Sequence, residues 1–370
     1  MGTSSSLEGV SPVRTFTSSP LPPRERGVEF GRANADEVRR SVAGYLALFA
    51  RRGALGYDAR RWAAEFRDLI GDLEPDALAE IGGIAEGARV DALDVVAVNA
   101  RTELLAKADP YGQRECSSVV VTPADAPAYG VQTWDWYASM ADTWLRWRIP
   151  QPDGSWLETV TEYGLLAKIG VSSRGVGVLL NMLRHAGDDN DRVGLPVHLL
   201  SRRILTRAAS YDEAAVMCHD TKVCASTSLT VLDRERGATV ELFPDGPGVV
   251  EPTDGVLVRT NHFVSEAGRD GCLTPEDVYP SSHLRRRHLE QALRARPPGS
   301  PDDVLAAMEH HDPAGGVCRH PQQQLEAWQR SATLATVVVE PGVPSLRVMS
   351  GGPCANSETT SPEAVSPERG

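Results

Sequence analysis

One cysteine of the chain occupies a position from which it could act as a nucleophile. Cys116 lies in the stretch QRECSSVVV, residues 113–121, where a polar segment gives way to a β-branched run typical of a strand. If the peptide bond between Glu115 and Cys116 were cut, Cys116 would carry both a thiol and a free α-amine. An α-amine has a reference pKa of about 7.7–8.0, so part of it accepts a proton near pH 7. Cys116 would then supply nucleophile and base together; alternatively, it is a small hydrophobic residue without a chemical role.

The other cysteines and the histidines predict neither a disulfide framework nor a metal centre. The six cysteines, at positions 116, 218, 224, 272, 318 and 354, are widely spaced and form no C-x-x-C pair, which is typical of reduced thiols. His262, His283 and His288 have no companion cysteine pair and no H-E-x-x-H spacing. The adjacent His310 and His311 are expected to end a helix, where a positive charge suits the dipole. We therefore expect no metal and no bound cofactor.

The acidic charge balance limits the classes of partner. The 370-residue chain is 41% hydrophobic and 24% charged, with a net charge of −12 and a pI near 5.3. Nucleic acid and anionic membrane surfaces both require basic patches, so neither is an expected partner. No apolar run approaches the roughly 20 residues of a membrane helix, and the first residues lack the apolar core of a signal peptide. We expect a cytoplasmic protein.

The order of the predicted elements favours an α+β fold over a doubly wound α/β fold. A 3.6-residue apolar spacing in residues 34–53, followed by three similar stretches, predicts a helical first third. Short β-branched runs separated by turn sequences predict consecutive strands from residue 116. Blocks of helices and strands then follow without βαβ alternation, which favours layers with antiparallel sheets. We expect one domain over residues 13–350 and disordered tails at 1–12 and 355–370.

A set of short motifs occurs along the chain in a recognisable order. The motifs are SPLPPRERGVEFG, NARTELL, ECSSVVV, QTWDW, KIGVSSRGVGVLLNML, GLPVHLLSRRIL, VRTNHF, SSHLRRRHL and QRSATLATVV. With these motifs the chain resembles, from about Phe16 to about Val348, the acyl-coenzyme A:6-aminopenicillanic acid (isopenicillin N) acyltransferases and their hydrolase relatives among the N-terminal nucleophile (Ntn) hydrolases. Val131 and Thr133 stand where the family commonly has Gly and Asn, and Glu115 stands where Gly commonly precedes the cysteine. These departures bear on substrate choice and on the rate of cleavage more than on the reaction type.

The resemblance implies a four-layer αββα sandwich with antiparallel sheets and a cut that the chain makes in itself. The cut would lie between Glu115 and Cys116. It would leave a helical N-terminal subunit, residues 1–115, and a catalytic subunit, residues 116–370. The two would stay together as a heterodimer, because the helical piece cannot bury its apolar stripes alone.

The resemblance also implies roles for four residues. Cys116 would be the nucleophile and the new N-terminus, and Asp135 on the neighbouring strand would orient its amine by a charge-assisted hydrogen bond. Asn261 would donate its side-chain amide to the oxyanion of the tetrahedral intermediate. Arg330 would bring a positive charge that pairs with Asp135 or binds a substrate carboxylate. Without the resemblance, Asp135 could be a solvated strand residue, Asn261 a turn residue and Arg330 a surface arginine.

Neighbours of Asp135 along its strand are candidates for the substrate pocket. Alternation along TWDWY places Thr133, Asp135 and Tyr137 on one face of the sheet. Trp134 and Trp136 point to the other face, where they either belong to the core or line an acyl pocket. Thr133, Trp134, Trp136 and Tyr137 are therefore the predicted pocket residues.

The implied reaction is acyl transfer from a small-molecule amide or acyl thioester, through a thioester on Cys116, to water or to an amine. The sequence does not separate an amidohydrolase from an N-acyltransferase. A coenzyme A thioester as acyl donor is implied by the resemblance alone. A different class of function also stays open, in which an inactive family member serves as a binding or scaffold protein and the Cys116 thiol is inert. Fast alkylation of Cys116 relative to the other cysteines would separate the two classes.

Overall fold

The computed structural model describes residues 12–52, 58–108, 116–188 and 191–357. These residues form twelve α-helices and thirteen strands. The helices are α1 (Pro23–Ala33), α2 (Ala35–Arg52), α3 (Ala59–Leu73), α4 (Pro75–Ala88), α5 (Ala92–Asn99), α6 (Arg101–Ala108), α7 (Val197–Arg207), α8 (Tyr211–Asp220), α9 (Glu266–Arg269), α10 (Pro280–Ala295), α11 (Pro301–Met308) and α12 (Cys354–Ser357). The strands are β1 (Thr15–Thr17), β2 (Cys116–Val121), β3 (Tyr129–Tyr137), β4 (Trp144–Pro150), β5 (Trp156–Glu162), β6 (Ile169–Ser172), β7 (Gly177–Met182), β8 (Thr227–Leu232), β9 (Gly237–Phe243), β10 (Gly246–Val250), β11 (Val256–Arg259), β12 (Ser331–Glu340) and β13 (Ser345–Ser350).

Two sheets lie face to face between two layers of helices. The larger sheet has eight strands in the order β1-β4-β5-β6-β7-β8-β9-β10, and the smaller has five in the order β11-β2-β3-β12-β13. Neighbouring strands are antiparallel except that β1 runs parallel to β4. Helices α7 and α8 pack on the larger sheet with α1–α6 beside them, and α10 and α11 cover the smaller sheet. This is the α+β, four-layer αββα architecture that the sequence predicts.

Strands β2 and β3 are buried on both faces. Val119 and Val131 pack in a core cluster that also contains residues of α10 and α11. Val120 and Trp134 point the other way, into the core between the sheets. Burial on two faces explains why the valine run that follows Cys116 shows no polar alternation.

Helices α1 and α4 touch backbone to backbone. A Cβ at Gly27 would lie 2.2 Å from the carbonyl oxygen of Glu80, and one at Gly83 would lie 2.1 Å from that of Arg24. Only glycine permits such an approach. The contact brings the Arg26 guanidinium into a buried ion pair with Glu80.

The segment before residue 109 is joined to the rest of the chain by buried polar contacts. Glu80 binds Arg202 of α7 as well, at 2.8 Å. Asn99 Nδ2 donates to the carbonyl of Gly164 at 2.8 Å, and the carboxylate of Glu103 accepts from the backbone N–H of Val197 at 2.8 Å. The N-terminal helices therefore form part of the same core as the sheets.

The structure departs from the sequence predictions at both ends of the chain. The sequence does not predict β1, which adds a short parallel strand to the edge of the larger sheet. Residues 355–357, expected to be disordered, belong to α12. The predicted tails at 1–11 and 358–370 lie outside the described residues. Within the described ranges, each helix is too short or too polar to cross a membrane.

Candidate active site

Cys116 is the first residue of β2 and is held through its backbone. Its N–H donates to Asn261 Oδ1 at 2.8 Å, and its carbonyl accepts from Arg285 Nη1 at 2.8 Å. Its Sγ lies 3.7 Å from the carbonyl oxygen of Asp135. The Cys116 side chain is buried. The structure thus brings Asn261 and the backbone carbonyl of Asp135 to Cys116 and adds Arg285.

Asn261 follows β11 and is fixed by the first turn of α10. Its backbone N–H donates to Ser282 Oγ at 2.8 Å, and its Nδ2 donates to the carbonyl of Met182 at 3.0 Å. Its Oδ1 accepts from the Cys116 N–H and from Arg285 Nη2, the latter at 3.0 Å. Asn261 therefore holds the nitrogen of Cys116. Its amide N–H is engaged by a carbonyl, which differs from the predicted donation to an oxyanion.

Asn181 of β7 offers another amide donor beside β2. Ser118 Oγ donates to Asn181 Oδ1 at 2.7 Å, whereas Asn181 Nδ2 is buried and has no hydrogen-bond partner among the described residues. Ser118 and Cys116 are two residues apart on one strand, so their side chains share a face. Asn181 is a candidate oxyanion donor that the motif analysis does not single out.

Arg285 is the site residue that the sequence analysis misses. It is fully buried on α10, and its Nη1 donates to the carbonyl of Cys116 and to Ser117 Oγ, each at 2.8 Å. A helical periodicity could have identified it. The buried positions of α10 are Ser282, Arg285, Leu289 and Leu293, which places this arginine within the apolar stripe of its helix.

Asp135 lies on the opposite face of the smaller sheet from the Cys116 side chain. The register pairs Cys116 with Trp134 and Asp135 with Thr333 on β12, and directly paired residues share a face. The Thr333 hydroxyl donates to Asp135 Oδ1 at 2.7 Å, next to a β-bulge in β12. Asn261, rather than the predicted Asp135, makes the hydrogen bond to the Cys116 nitrogen.

Burial controls the protonation of the nucleophile candidate. Burial, and then the negative charge of Asp135, raises the pKa of the Cys116 thiol to about 12. The positive charges of Lys168 and Arg285 oppose this shift with smaller effects. In the uncut chain, Cys116 is therefore a protonated thiol at neutral pH.

A buried ionic cluster surrounds Glu162 at the end of β5. Glu162 accepts from Arg101 Nη2 at 2.9 Å and from the Tyr45 hydroxyl, and it forms an ion pair with Lys168. Burial alone would raise the pKa of Glu162, but Arg101 and Lys168 lower it to about 2. Burial lowers the pKa of Lys168 to about 7 although Glu162 opposes the shift. The cluster places a lysine that titrates near neutrality close enough to Cys116 for their charges to interact.

The four predicted pocket residues are all buried and packed against other side chains or strands. Thr133 Oγ1 accepts from a backbone N–H of β2 at 3.3 Å. Lys168 Nζ lies 3.2 Å from the ring centroid of Trp134. The rings of Trp136 and Tyr137 meet edge to face at 5.1 Å. Their place in a pocket wall stays a prediction.

Arg330 is the predicted catalytic residue that the structure does not bring to the site. Its Nε and Nη2 donate to the carbonyls of Leu325 and Gln323, each at 2.9 Å, within its own loop. Arg330 therefore does not form the expected pair with Asp135, and the guanidinium that contacts Cys116 is that of Arg285 on α10. The predicted processing residue Glu115 lies outside the described residues.

Comparisons with known proteins relate the chain to one family. A sequence profile described as acyl-coenzyme A:6-aminopenicillanic acid acyl-transferase matches residues 123–354. The chain is 28% identical over 280 residues to the acyl-coenzyme A:6-aminopenicillanic-acid-acyltransferase 40 kDa form of Emericella nidulans, covering 72% of this chain and 74% of that relative. Among solved structures, penicillin V acylase from Agrobacterium tumefaciens superimposes with a TM-score of 0.40 at 14% identity, covering 64% of this chain and 83% of that one.

Proposed function

Since the chain belongs to the acyl-coenzyme A:6-aminopenicillanic acid acyl-transferase family, we propose that it is a self-processing cysteine enzyme that transfers acyl groups through a thioester on Cys116. The observation that supports this most is that Asn261 and Arg285 hold the backbone nitrogen and carbonyl of Cys116, while the charge of Asp135 is close enough to act on its thiol. An amide oxygen, a guanidinium and a carboxylate are groups that orient an N-terminal nucleophile and balance its charge.

Self-cleavage would begin when Cys116 Sγ attacks the carbonyl carbon of Glu115. A C–S bond forms, the C–N bond to Cys116 breaks, and the departing nitrogen takes up the proton that the thiol loses. Water then hydrolyses this thioester, which leaves a carboxylate on Glu115 and a free thiol and α-amine on Cys116. Asn261 Oδ1 already accepts from the Cys116 nitrogen and would hold the new amine. Arg285 would keep the adjoining carbonyl in place.

In the cut form the α-amine would supply the proton acceptor that the uncut chain lacks. It takes the thiol proton, and the resulting ammonium stabilises the thiolate beside it. The thiolate attacks the substrate carbonyl, and Asn181 Nδ2 is the donor proposed for the oxyanion. The leaving amine or thiolate takes the proton back from the ammonium. The acyl group, now a thioester of Cys116, passes to water or to an acceptor amine.

The substrate class proposed is a small-molecule amide or acyl thioester, and a coenzyme A thioester is a possible acyl donor. The name of the Emericella nidulans relative supports transfer to an amine, whereas water as acceptor would give an amidohydrolase. We propose that no cofactor takes part in the reaction, that the protein has no nucleic-acid or membrane partner, and that it is cytoplasmic. None of the six cysteines forms a disulfide, which suits a reducing compartment.

The two products are proposed to stay together as a heterodimer. Across the proposed cut, Glu80 binds Arg202 and Arg101 binds Glu162, and all four side chains are buried. Strand β1 also pairs with β4. Separating the pieces would break both ion pairs and expose to water the apolar side chains that the N-terminal helices bury in the core shared with the sheets.

An intact-mass spectrum of the purified protein tests the proposal. The wild type is expected to give two fragments that meet at the 115/116 junction, and Cys116→Ala is expected to stay a single chain. Cys218→Ala, which removes another buried cysteine, on α8, should be cut like the wild type. The fragments should then turn over an acyl thioester, and adding an amine decides between hydrolysis and transfer. A wild-type chain that stays whole and inactive would instead indicate the inert scaffold alternative.

A further inference from the structure

Four side chains with metal-binding atoms lie together near the start of β12 and the end of β13. His311, Cys318 and His320 lie on the segment between α11 and β12, and Cys354 begins α12. One ligand atom from each residue lies within 4.8 Å of the others. The residues come from parts of the chain that are up to 43 positions apart, so the fold alone brings them together.

Four of the six distances between these atoms lie within about 0.5 Å of the edges of a zinc-centred tetrahedron. The two sulfurs are 3.3 Å apart, the two Nε2 atoms are 3.1 Å apart, and His320 Nε2 lies 3.9 Å from Cys318 Sγ and 3.5 Å from Cys354 Sγ. Zn–S bonds are about 2.3 Å long and Zn–N bonds about 2.0–2.1 Å. In a tetrahedron with these bonds, the two sulfurs are about 3.8 Å apart, the two nitrogens about 3.3 Å, and a sulfur and a nitrogen about 3.6 Å. We propose that His311, Cys318, His320 and Cys354 bind one Zn²⁺ ion.

The chemistry of the donor set favours zinc over harder cations. Two thiolates and two neutral imidazoles balance a divalent charge, and the set contains no carboxylate of the kind that Mg²⁺ or Ca²⁺ prefers. Four protein ligands leave no open position, so the ion has a structural role. His311 and His320 are exposed, which gives the ion a route in, while Cys318 is a buried anchor.

The surroundings of Cys318 leave space for its sulfur. A Cβ at Gly352 would lie 2.3 Å from Cys318 Sγ, so any larger residue there would displace the sulfur. Gly352 precedes Cys354 by two positions and brings the C-terminal segment against the loop. This glycine therefore fits a site in which both sulfurs approach one ion.

The proposed ion would stiffen the strand end that holds Asp135. Arg319 lies between two of the ligands, and its backbone N–H donates to Thr333 Oγ1 at 3.0 Å. The carbonyl of Arg319 accepts from the backbone N–H of Thr333 at 3.0 Å, and the Thr333 hydroxyl donates to Asp135. Arg319 and Thr333 therefore link the proposed metal site to Asp135 through hydrogen bonds.

This inference replaces the sequence expectation that the chain binds no metal. His311 does not end a helix, because α11 ends at Met308 and His311 lies in the loop beyond it. The spacing of the four ligands matches none of the usual zinc patterns, in which cysteines or histidines occur in close pairs of one type. The site becomes visible when the loop and α12 are placed together.

The test is the metal content of the full chain, expressed without a histidine tag in medium that contains zinc. Elemental analysis after gel filtration is expected to find about one zinc per chain in the wild type. His311→Ala and His320→Ala should reduce zinc at least about tenfold, since each removes a ligand. Both positions are exposed, so these variants should keep the fold, which circular dichroism checks. His219→Ala, at another exposed histidine, and Cys272→Ser are the matched controls and should retain zinc.

Replacement of zinc by Co²⁺ supplies a readout that does not depend on activity. Tetrahedral Co²⁺ with thiolate ligands should give visible absorption bands in the wild type and in both controls, and these bands should be lost in His320→Ala. Zinc at less than about a tenth of an equivalent in the wild type would overturn the proposal. So would equal zinc in all variants, or a zinc-free chain 2 Da lighter in which Cys318 and Cys354 are joined by a disulfide.

Discussion

Two cysteine-containing regions of this protein show how neighbouring groups determine what a thiol can do. At the start of β2, Cys116 has an amide oxygen and a guanidinium on its backbone and a carboxylate nearby. Near the same end of the smaller sheet, but beside β12 and β13, Cys318 and Cys354 lie close to two imidazoles. The first set of neighbours suits acyl transfer and the second suits metal coordination. Thr333 connects them, because it binds Asp135 on one side and the loop that carries Cys318 on the other.

The largest effect is expected from a change at Arg285, which should slow self-cleavage without affecting the metal-binding region, because this residue contacts only the region around Cys116. Arg285→Lys keeps a positive charge but loses the fork that binds Cys116, Ser117 and Asn261 at once. Two lost hydrogen bonds of a charged donor, each contributing about 1.5–3 kcal/mol, should slow self-cleavage at least about 100-fold. Pulse-chase electrophoresis of newly made chains measures the rate, and zinc content should not change.

Arg330→Lys is the matched control for that substitution. Its guanidinium binds carbonyls of its own loop, so the cleavage rate should stay within about threefold of the wild type. The reverse ranking of the two variants would show that the position predicted from sequence, and not Arg285, serves the reaction.

A smaller effect is expected from pH on the rate of self-cleavage at Cys116. The pKa of the Cys116 thiol in the uncut chain is raised to about 12, so at any lower pH the thiolate fraction rises tenfold for each pH unit. Self-cleavage of chains made by cell-free synthesis should therefore speed up about 30-fold between pH 7.0 and pH 8.5. A rate that levels off above pH 7.5 would contradict this and would point to neutral Lys168 as proton acceptor, since its pKa is lowered to about 7.

The smallest of the three effects concerns the residue that joins the regions. Thr333→Val removes the hydroxyl that binds Asp135 and should lower the acyl-transfer rate about tenfold, the value of one hydrogen bond to a carboxylate. Zinc content should stay the same. Thr336→Val, on the same strand, loses a bond to the carbonyl of Gly351 and is the control. Equal rates for the two variants would mean that Asp135 does not depend on Thr333.

Local patterns predicted the layered α+β class, and the resemblance to a family predicted the central part of the site. The 3.6-residue spacing in residues 34–53 corresponds to α2, and the blockwise order of elements led to the layered α+β fold. The resemblance placed Cys116 and Asn261 in one site, and the structure brings them together because β2 and β11, the strands they adjoin, pair in one sheet. Strand β1 could not be predicted, because it has only three residues and its two threonines are exposed, which leaves too little alternation of apolar and polar residues to indicate a strand.

The remaining site residues depend on helical register or on tertiary placement. Arg285, Arg286 and Arg287 are consecutive, and only the helical register selects the first as the buried one. Arg330 adjoins β12 as expected, but its long side chain turns back to the loop carbonyls. The cluster of His311 and its three partners requires two separate segments to be placed side by side.

The short strand β1 bears on whether the cut protein would aggregate. It covers β4 at the edge of the larger sheet with backbone hydrogen bonds, among them that from the Ser18 N–H to the Arg148 carbonyl. If the N-terminal piece departed, β4 would present a bare row of donors and acceptors to other molecules, which is how strand addition and amyloid-like assembly begin. If the proposed cleavage occurs, retention of the first fragment would keep this strand edge covered and would thereby prevent aggregation.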